Sequence, residues 1–142
     1  FETRGHVALA GTFGYELDVT RLTQEEKDQA VALNREYHKY NEINREGSYY
    51  RIASFRENGM YDCWQVVSAD GREFLLTYVQ VRFESVRKPV RLLLEGLEPK
   101  AKYRLEGTDR VFSGEMLMNA GYLQDMLWGD YNSVLLHFVK EG

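Results

Sequence analysis

The stretch Cys63–Phe83, CWQVVSADGREFLLTYVQVRF, decides the fold. Two apolar runs flank Asp70-Gly71, and an Asp-Gly pair readily takes the positive backbone angles of a tight hairpin turn. In the second arm Leu75, Thr77, Val79, Val81 and Phe83 share one face. Phe74, Leu76 and Tyr78 make the opposite face apolar, until Gln80 and Arg82 return it to solvent. Further strands are expected at Val90–Leu94, Lys102–Leu105, Val111–Phe112, Leu117–Asn119 and Ser133–Val139. Short strands separated by Gly, Pro and Asp turns predict an antiparallel, Greek-key-like β-sandwich. Leu97-Glu98-Pro99 followed by Tyr103 fits the turn-then-tyrosine corner of such domains.

Upstream of the hairpin the pattern changes. A helix is expected over about Gln24 to Ile43. Thr23 and Glu26 form a capping box, in which the hydroxyl accepts from the Glu26 amide while the carboxylate reaches back. Glu25, Glu26 and Asp28 suit the positive end of the helix dipole. Ala30, Leu33, Tyr37 and Tyr40 make one apolar stripe, and Gly47 is the stop. Before it, His6 to Tyr15, HVALAGTFGY, reads as a buried strand that must find a partner or fray. The expected architecture is therefore one strand and one long α-helix leading into a sandwich. The boundary near Gly47 divides residues 1–47 from 48–142.

At 142 residues the chain suits one compact domain or one domain with an appendage, and it cannot hold a (β/α)₈ barrel. Its 13% aromatic share supplies a packed core and favours β-structure. A net charge of −4 with no basic patch argues against nucleic acid. The apolar runs are too short for a membrane helix. A lone cysteine, Cys63, excludes an internal disulfide and suits a reducing, cytoplasmic compartment. The chain opens on Phe1 rather than Met, within strand-like sequence, so its natural start is expected upstream.

Few residues invite chemistry. Glu16 and Asp18 are two apart, the spacing of a carboxylate pair on one strand face, but 22 acidic residues make such pairs common. They are expected to cap or end elements. His6, His38 and His137 fall on separate elements with no metal-ligand spacing, so no metal or cofactor is expected. Ser113-Gly114 lacks the leading glycine of a nucleophile elbow, and Gly11 to Gly14 lacks the lysine of a phosphate loop. Trp128-Gly129-Asp130-Tyr131 stands out. Aromatic rings beside a carboxylate have the composition of a sugar-stacking platform. The alternative is that such rings fill the core or seal a domain interface.

Several stretches carry a resemblance. FSGEMLMNAGY (Phe112–Tyr122) closely follows a run typical of glycoside hydrolase family 36 α-galactosidases, departing conservatively at Phe112, Met116 and Tyr122. TRGHVALAGTFGYELDVTRLT (Thr3–Thr23) resembles the family's last barrel strand and the start of its final barrel helix. YYRI, WQVVSADGREFLLTYVQV, LLLEGLEPKAKYRLEG and GDYNSVLLHF resemble the accessory domain that follows. The resemblance implies a parent that removes terminal α-D-galactosyl residues from melibiose- and raffinose-type oligosaccharides with retention, without metal or organic cofactor. It implies a bacterial, homo-oligomeric enzyme, with this region packed on its catalytic barrel. The family's nucleophile lies in a lysine-tryptophan-aspartate motif that is missing here, so no catalytic residue carries over.

Two expectations follow. A structural domain predicts an exposed patch that includes the Ala30-Leu33-Tyr37-Tyr40 stripe. A carbohydrate-binding module predicts exposed rings at Trp128 and Tyr131, with Asp130 accepting a hydroxyl.

Overall fold

The computed structural model describes residues 2–11, 14, 18–86 and 88–142. Helix α1 (Glu2–Leu9), a 3₁₀ turn (Val19–Arg21) and helix α2 (Gln24–Glu46) precede the sheets. Then come β1 (Ser48–Ala53), α3 (Phe55–Asn58), β2 (Tyr61–Val67), β3 (Glu73–Gln80), β4 (Val90–Leu92), β5 (Lys102–Leu105), β6 (Val111–Ser113), α4 (Gly114–Asn119), β7 (Tyr122–Gln124) and β8 (Asn132–Lys140).

Six strands form one sheet in the order β1-β2-β3-β8-β5-β6, and β4 pairs with β7 in a second, smaller sheet. Every pairing is antiparallel. Strand β8 enters between β3 and β5, far from both in sequence, as expected of Greek-key connections. The domain is a sandwich of unequal sheets.

Both faces of the large sheet are covered. On one side Phe74, Leu76, Tyr78 and Phe138 pack with Leu92, Leu94, Leu117 and Tyr122. Phe74 and Phe138, opposite each other in register, stack with centroids 4.6 Å apart. On the other side Tyr40 and Ile43 of α2 pack on Val66 and Leu75. This double cover explains why β3 is buried from Phe74 to Gln80.

The hairpin at Asp70-Gly71 forms as read. Gly71 has φ +70, and the Asp70 carboxylate accepts from the Arg72 amide at 3.0 Å and from the Ser68 hydroxyl at 2.7 Å. The capping box is complete: Thr23 Oγ1 accepts from the Glu26 amide at 3.2 Å, and Glu26 Oε2 accepts from the Thr23 amide at 2.9 Å. Gly47 ends α2, but its backbone is not left-handed, with φ −78. A Cβ there would lie closer than 3.0 Å to Ile43 O and Val67 O, so the glycine serves close helix–sheet approach. Tyr103 makes the expected corner, its Oη accepting from the Glu98 amide at 3.0 Å.

Four expectations are corrected. Of the strand expected over His6 to Tyr15, the described residues contain no strand. Glu2–Leu9 is helical, with Gly5, His6 and Leu9 buried, and residues 12, 13 and 15 lie outside the described residues. A helix closes its own backbone bonds, whereas a single strand needs a neighbour. α1 docks instead on α2, with Leu33 filling the space beside Gly5 and Asn44 Nδ2 donating to Leu9 O at 2.8 Å. Leu117–Asn119 is likewise helical, within α4, because Ser113 Oγ accepts from the Met116 amide at 3.1 Å and starts a turn. Glycine is needed at Gly114, the first residue of that turn, because a Cβ there would collide with Glu98 O. Gln80 does not face solvent; it is 1% exposed. Finally, the α2 stripe is not an open patch, since Leu33 and Tyr40 are buried and Ala30 and Tyr37 partly so.

Candidate functional site

The loop from Leu127 to Tyr131, between β7 and β8, is built from its backbone outward. Gln80, at the end of β3, supplies the anchor. Its Nε2 donates to Leu127 O at 2.8 Å and to Gly129 O at 2.7 Å, and its Oε1 accepts from the Leu127 amide at 2.9 Å. Asp130 Oδ1 accepts from the Phe83 amide at 2.6 Å. Asn132 Nδ2 donates to Trp128 O, and Thr3 Oγ1 donates to Tyr131 O at 2.7 Å. Gly129 and Tyr131 both have positive φ, +80 and +56. For a tyrosine this left-handed conformation costs about 1–2 kcal/mol, so the surrounding bonds hold the loop against local preference.

The rings so held face outward. Trp128 is 70% exposed and Tyr131 69%. Phe83 stacks against Trp128 with centroids 5.5 Å apart. The three residues singled out by composition, Trp128, Asp130 and Tyr131, therefore share one surface loop. Sequence reasoning missed Gln80 and Phe83, which fix it, because their bonds span 47 residues.

The three histidines are dispersed as expected: the His38 ring meets Tyr37 edge-on at 5.6 Å, and the other two are hydrogen-bonded. His6 Nδ1 lies 2.7 Å from Ser133 Oγ, which donates to Thr3 Oγ1 at 3.0 Å. Thr3 in turn donates to Tyr131 O, so the proton order makes His6 Nδ1 the donor. Burial pushes the His6 pKa down against the opposing pull of Glu2 and Glu36. His137 sits on β8 between Glu106, bonded to Nδ1, and Glu73, 3.0 Å from Nε2. Lys39 of α2 donates to Glu106 at 3.0 Å, and the Tyr40 ring meets His137 edge-on at 5.1 Å. This network ties α2 to the large sheet. Lys39, then His137, holds the Glu106 carboxyl below its ordinary range.

The carboxyls with displaced pKa values among the described residues all move in one direction. A glycosidase acid needs its pKa raised, whereas every displaced carboxyl here moves down. Asp18 is lowered by its bonds to Thr20, Glu26 by Thr23, and Asp70 by Arg72 and Ser68. Asp18 caps the 3₁₀ turn, and Glu16 lies outside the described residues. Burial pushes the Cys63 thiol up to about 12, which leaves no thiolate nucleophile. Among the described residues no His, Cys, Asp and Glu cluster fits a metal ion.

Comparison with known proteins places this architecture. The glycosyl hydrolase family 36 C-terminal domain model matches residues 61–138, more than half of the chain. The chain belongs to glycosyl hydrolase family 36. A melibiase model matches residues 1–47. Alpha-galactosidase Mel36A of Lactobacillus acidophilus, a family 36 relative, is 36% identical over 138 residues, covering 97% of this chain and 19% of its own length. The galactosidase domain of AgaSK, an α-galactosidase/sucrose kinase of Mediterraneibacter gnavus, superposes with a TM-score of 0.92 at 34% identity, over 99% of this chain and 19% of that one. A raffinose complex of the family 36 α-galactosidase AgaA from Geobacillus stearothermophilus gives a TM-score of 0.92 at 35% identity, with the same coverage. The chain thus spans about a fifth of these relatives and corresponds to their C-terminal region.

Proposed function

We propose that this chain is the non-catalytic C-terminal part of a retaining α-galactosidase acting on terminal α-D-galactosyl residues of melibiose- and raffinose-type oligosaccharides. Its work is structural. Residues 1–47 belong to the end of the catalytic barrel and residues 48–142 form the accessory sandwich. The partner is the rest of the parent enzyme, a cytoplasmic, bacterial homo-oligomer, and substrate is met only through that parent. The observation that carries this reading is the match to the family's C-terminal domain model, with relatives of which the chain spans about a fifth.

The network Lys39–Glu106–His137–Glu73 supports the structural role. It joins α2, within the melibiase match, to strands within the C-terminal match. Several exposed apolar side chains, among them Leu93, Val111, Met116 and Leu123, supply surface for packing against the parent or a second subunit.

The test is deletion of residues 61–138 from the parent enzyme. The proposal expects loss of folded, soluble enzyme, with catalytic residues intact. A truncated enzyme with unchanged kcat, KM and melting temperature contradicts it.

A further inference from the structure

We propose that Asn58 is a modification site: its side-chain amide is converted to a carboxylate through a cyclic imide with Gly59, and opening of the α3–β2 turn gates the conversion. This goes beyond the structural role and stands independently of it.

Three observations carry it. First, Asn58-Gly59 is the only Asn-Gly pair in the sequence. Imide formation needs the next residue's backbone nitrogen to reach the asparagine Cγ, and glycine, lacking a Cβ, hinders that approach least. Second, the closed turn immobilises both reacting groups. Asn58 Nδ2 donates to Ser54 O and to Tyr61 O, each at 2.9 Å. Its Oδ1 accepts from the Met60 amide at 2.7 Å and the Tyr61 amide at 2.9 Å. Two carbonyls on one side and two amides on the other fix which end of the Asn58 amide is nitrogen. The Gly59 amide, the attacking nitrogen, donates to Phe55 O at 2.7 Å. Third, the gate is small. Helix α3 is a single turn of four residues, and its first amide, Phe55 N, is held by Asp62 Oδ1 at 2.8 Å. Such a turn opens without the sheet opening. These bonds lie within the turn itself, so cover by the rest of the parent leaves them in place.

The chemistry needs only water. The Gly59 nitrogen, deprotonated by hydroxide, forms a bond to Asn58 Cγ. The Cγ–Nδ2 bond breaks, and that nitrogen leaves as ammonia with a proton taken from water. Water then adds to either imide carbonyl, leaving aspartate or its isoaspartate isomer. In sum an amide and a water give a carboxylate and an ammonium ion. The product does not fit the turn. A carboxylate only accepts, so Ser54 O and Tyr61 O lose their shared donor. In the isoaspartate the main chain also gains Cβ, which moves Gly59 N off Phe55 O. Each conversion therefore records an opening of α3 that cannot be undone.

The experiment incubates the 142-residue chain in mildly alkaline buffer, folded and in urea, and follows residue 58 by peptide mass mapping. Conversion in the folded chain should be at least about tenfold slower than in urea, the factor given by an opening cost of about 1.4 kcal/mol. Amide exchange should show Gly59 less protected than the β3 amides. Asp62→Ala frees Phe55 N without touching the reacting pair, and should speed conversion about two- to tenfold, the worth of one hydrogen bond. Asn58→Asp should quicken amide exchange at residues 55–61 while β3 and β8 stay protected. Equal rates folded and in urea, or no conversion in urea, would overturn the proposal. So would Gly59 protection equal to that of β3, an unchanged rate in Asp62→Ala, or unchanged exchange in Asn58→Asp.

Discussion

Gln80 and Leu127 hold each other by both ends of an amide. The Gln80 side chain donates to the Leu127 carbonyl at 2.8 Å and accepts from the Leu127 amide at 2.9 Å. The bond is a two-residue ladder made by a side chain, and it fixes the loop that carries Trp128 and Tyr131. Gln65 repeats the device one strand away, donating to Glu95 O at 3.0 Å and accepting from the Glu95 amide at 2.9 Å. Both glutamines are essentially inaccessible to solvent.

Gln80→Leu keeps volume but strips partners from Leu127 N, Leu127 O and Gly129 O. Unpaired buried polar groups cost about 1–3 kcal/mol each, and partial rehydration of the loop brings the expected loss to about 2–3 kcal/mol. Urea denaturation measures the loss. Amide exchange at residues 127–131 should quicken in the folded variant as the loop loosens.

Gly47→Ala and Gly71→Ala separate two reasons for glycine. At Gly47 the added methyl meets Ile43 O and Val67 O, and helix α2 must shift, at about 1–3 kcal/mol. At Gly71 nothing lies within 4 Å, but φ is +70, so only the left-handed penalty of about 1–2 kcal/mol applies. Amide exchange distinguishes them. The first variant should lose protection in α2 and the second only at the hairpin.

Tyr131→Gly removes a left-handed strain of about 1–2 kcal/mol and adds about 0.5–1 kcal/mol of backbone entropy cost. The ring is largely exposed, so little packing is lost. The variant should melt at or slightly above the temperature of the unmodified chain. A clear drop would mean that the ring contributes more packing than its exposure shows.

The docking of α1 should depend on pH. Burial depresses the His6 pKa below its unfolded value of 6.5, so the folded state prefers the neutral ring. The stabilisation is complete above 6.5 and falls away as pH drops through the folded value, where the unfolded state binds the extra proton. Hydrogen exchange over Glu2–Leu9 should therefore quicken below that pH relative to β2 and β3. His6→Gln should abolish the difference.

Legibility followed the range of the interactions. The Thr23–Glu26 capping box and the Asp70-Gly71 turn were readable because each bond closes within a few residues. The strand at Lys102–Leu105 was readable because its buried positions alternate, and the one expected at Ser133–Val139 because its apolar run is bounded by turn residues, although it also carries the buried His137. Gln80 was misread because polarity at a strand end ordinarily means solvent, and its partners lie 47 residues on. His6 to Leu9 was misread as strand because Val7, Ala8 and Leu9 fit either period, and the deciding partner, Leu33, belongs to another helix. Leu117 and its neighbours failed for the same reason, with the Ser113 cap as the overlooked local signal. At the loop, composition pointed to Trp128, Asp130 and Tyr131, but the clamp that makes them a fixed surface is visible only in three dimensions.

The most direct measurement is hydrolysis of raffinose and an aryl α-galactoside by the purified 142-residue chain, followed by galactose release. We expect no release above buffer, since the chain matches the family's C-terminal domain model and spans about a fifth of its relatives. Turnover that co-purifies with the chain and disappears on substitution of one of its own carboxylates would contradict it.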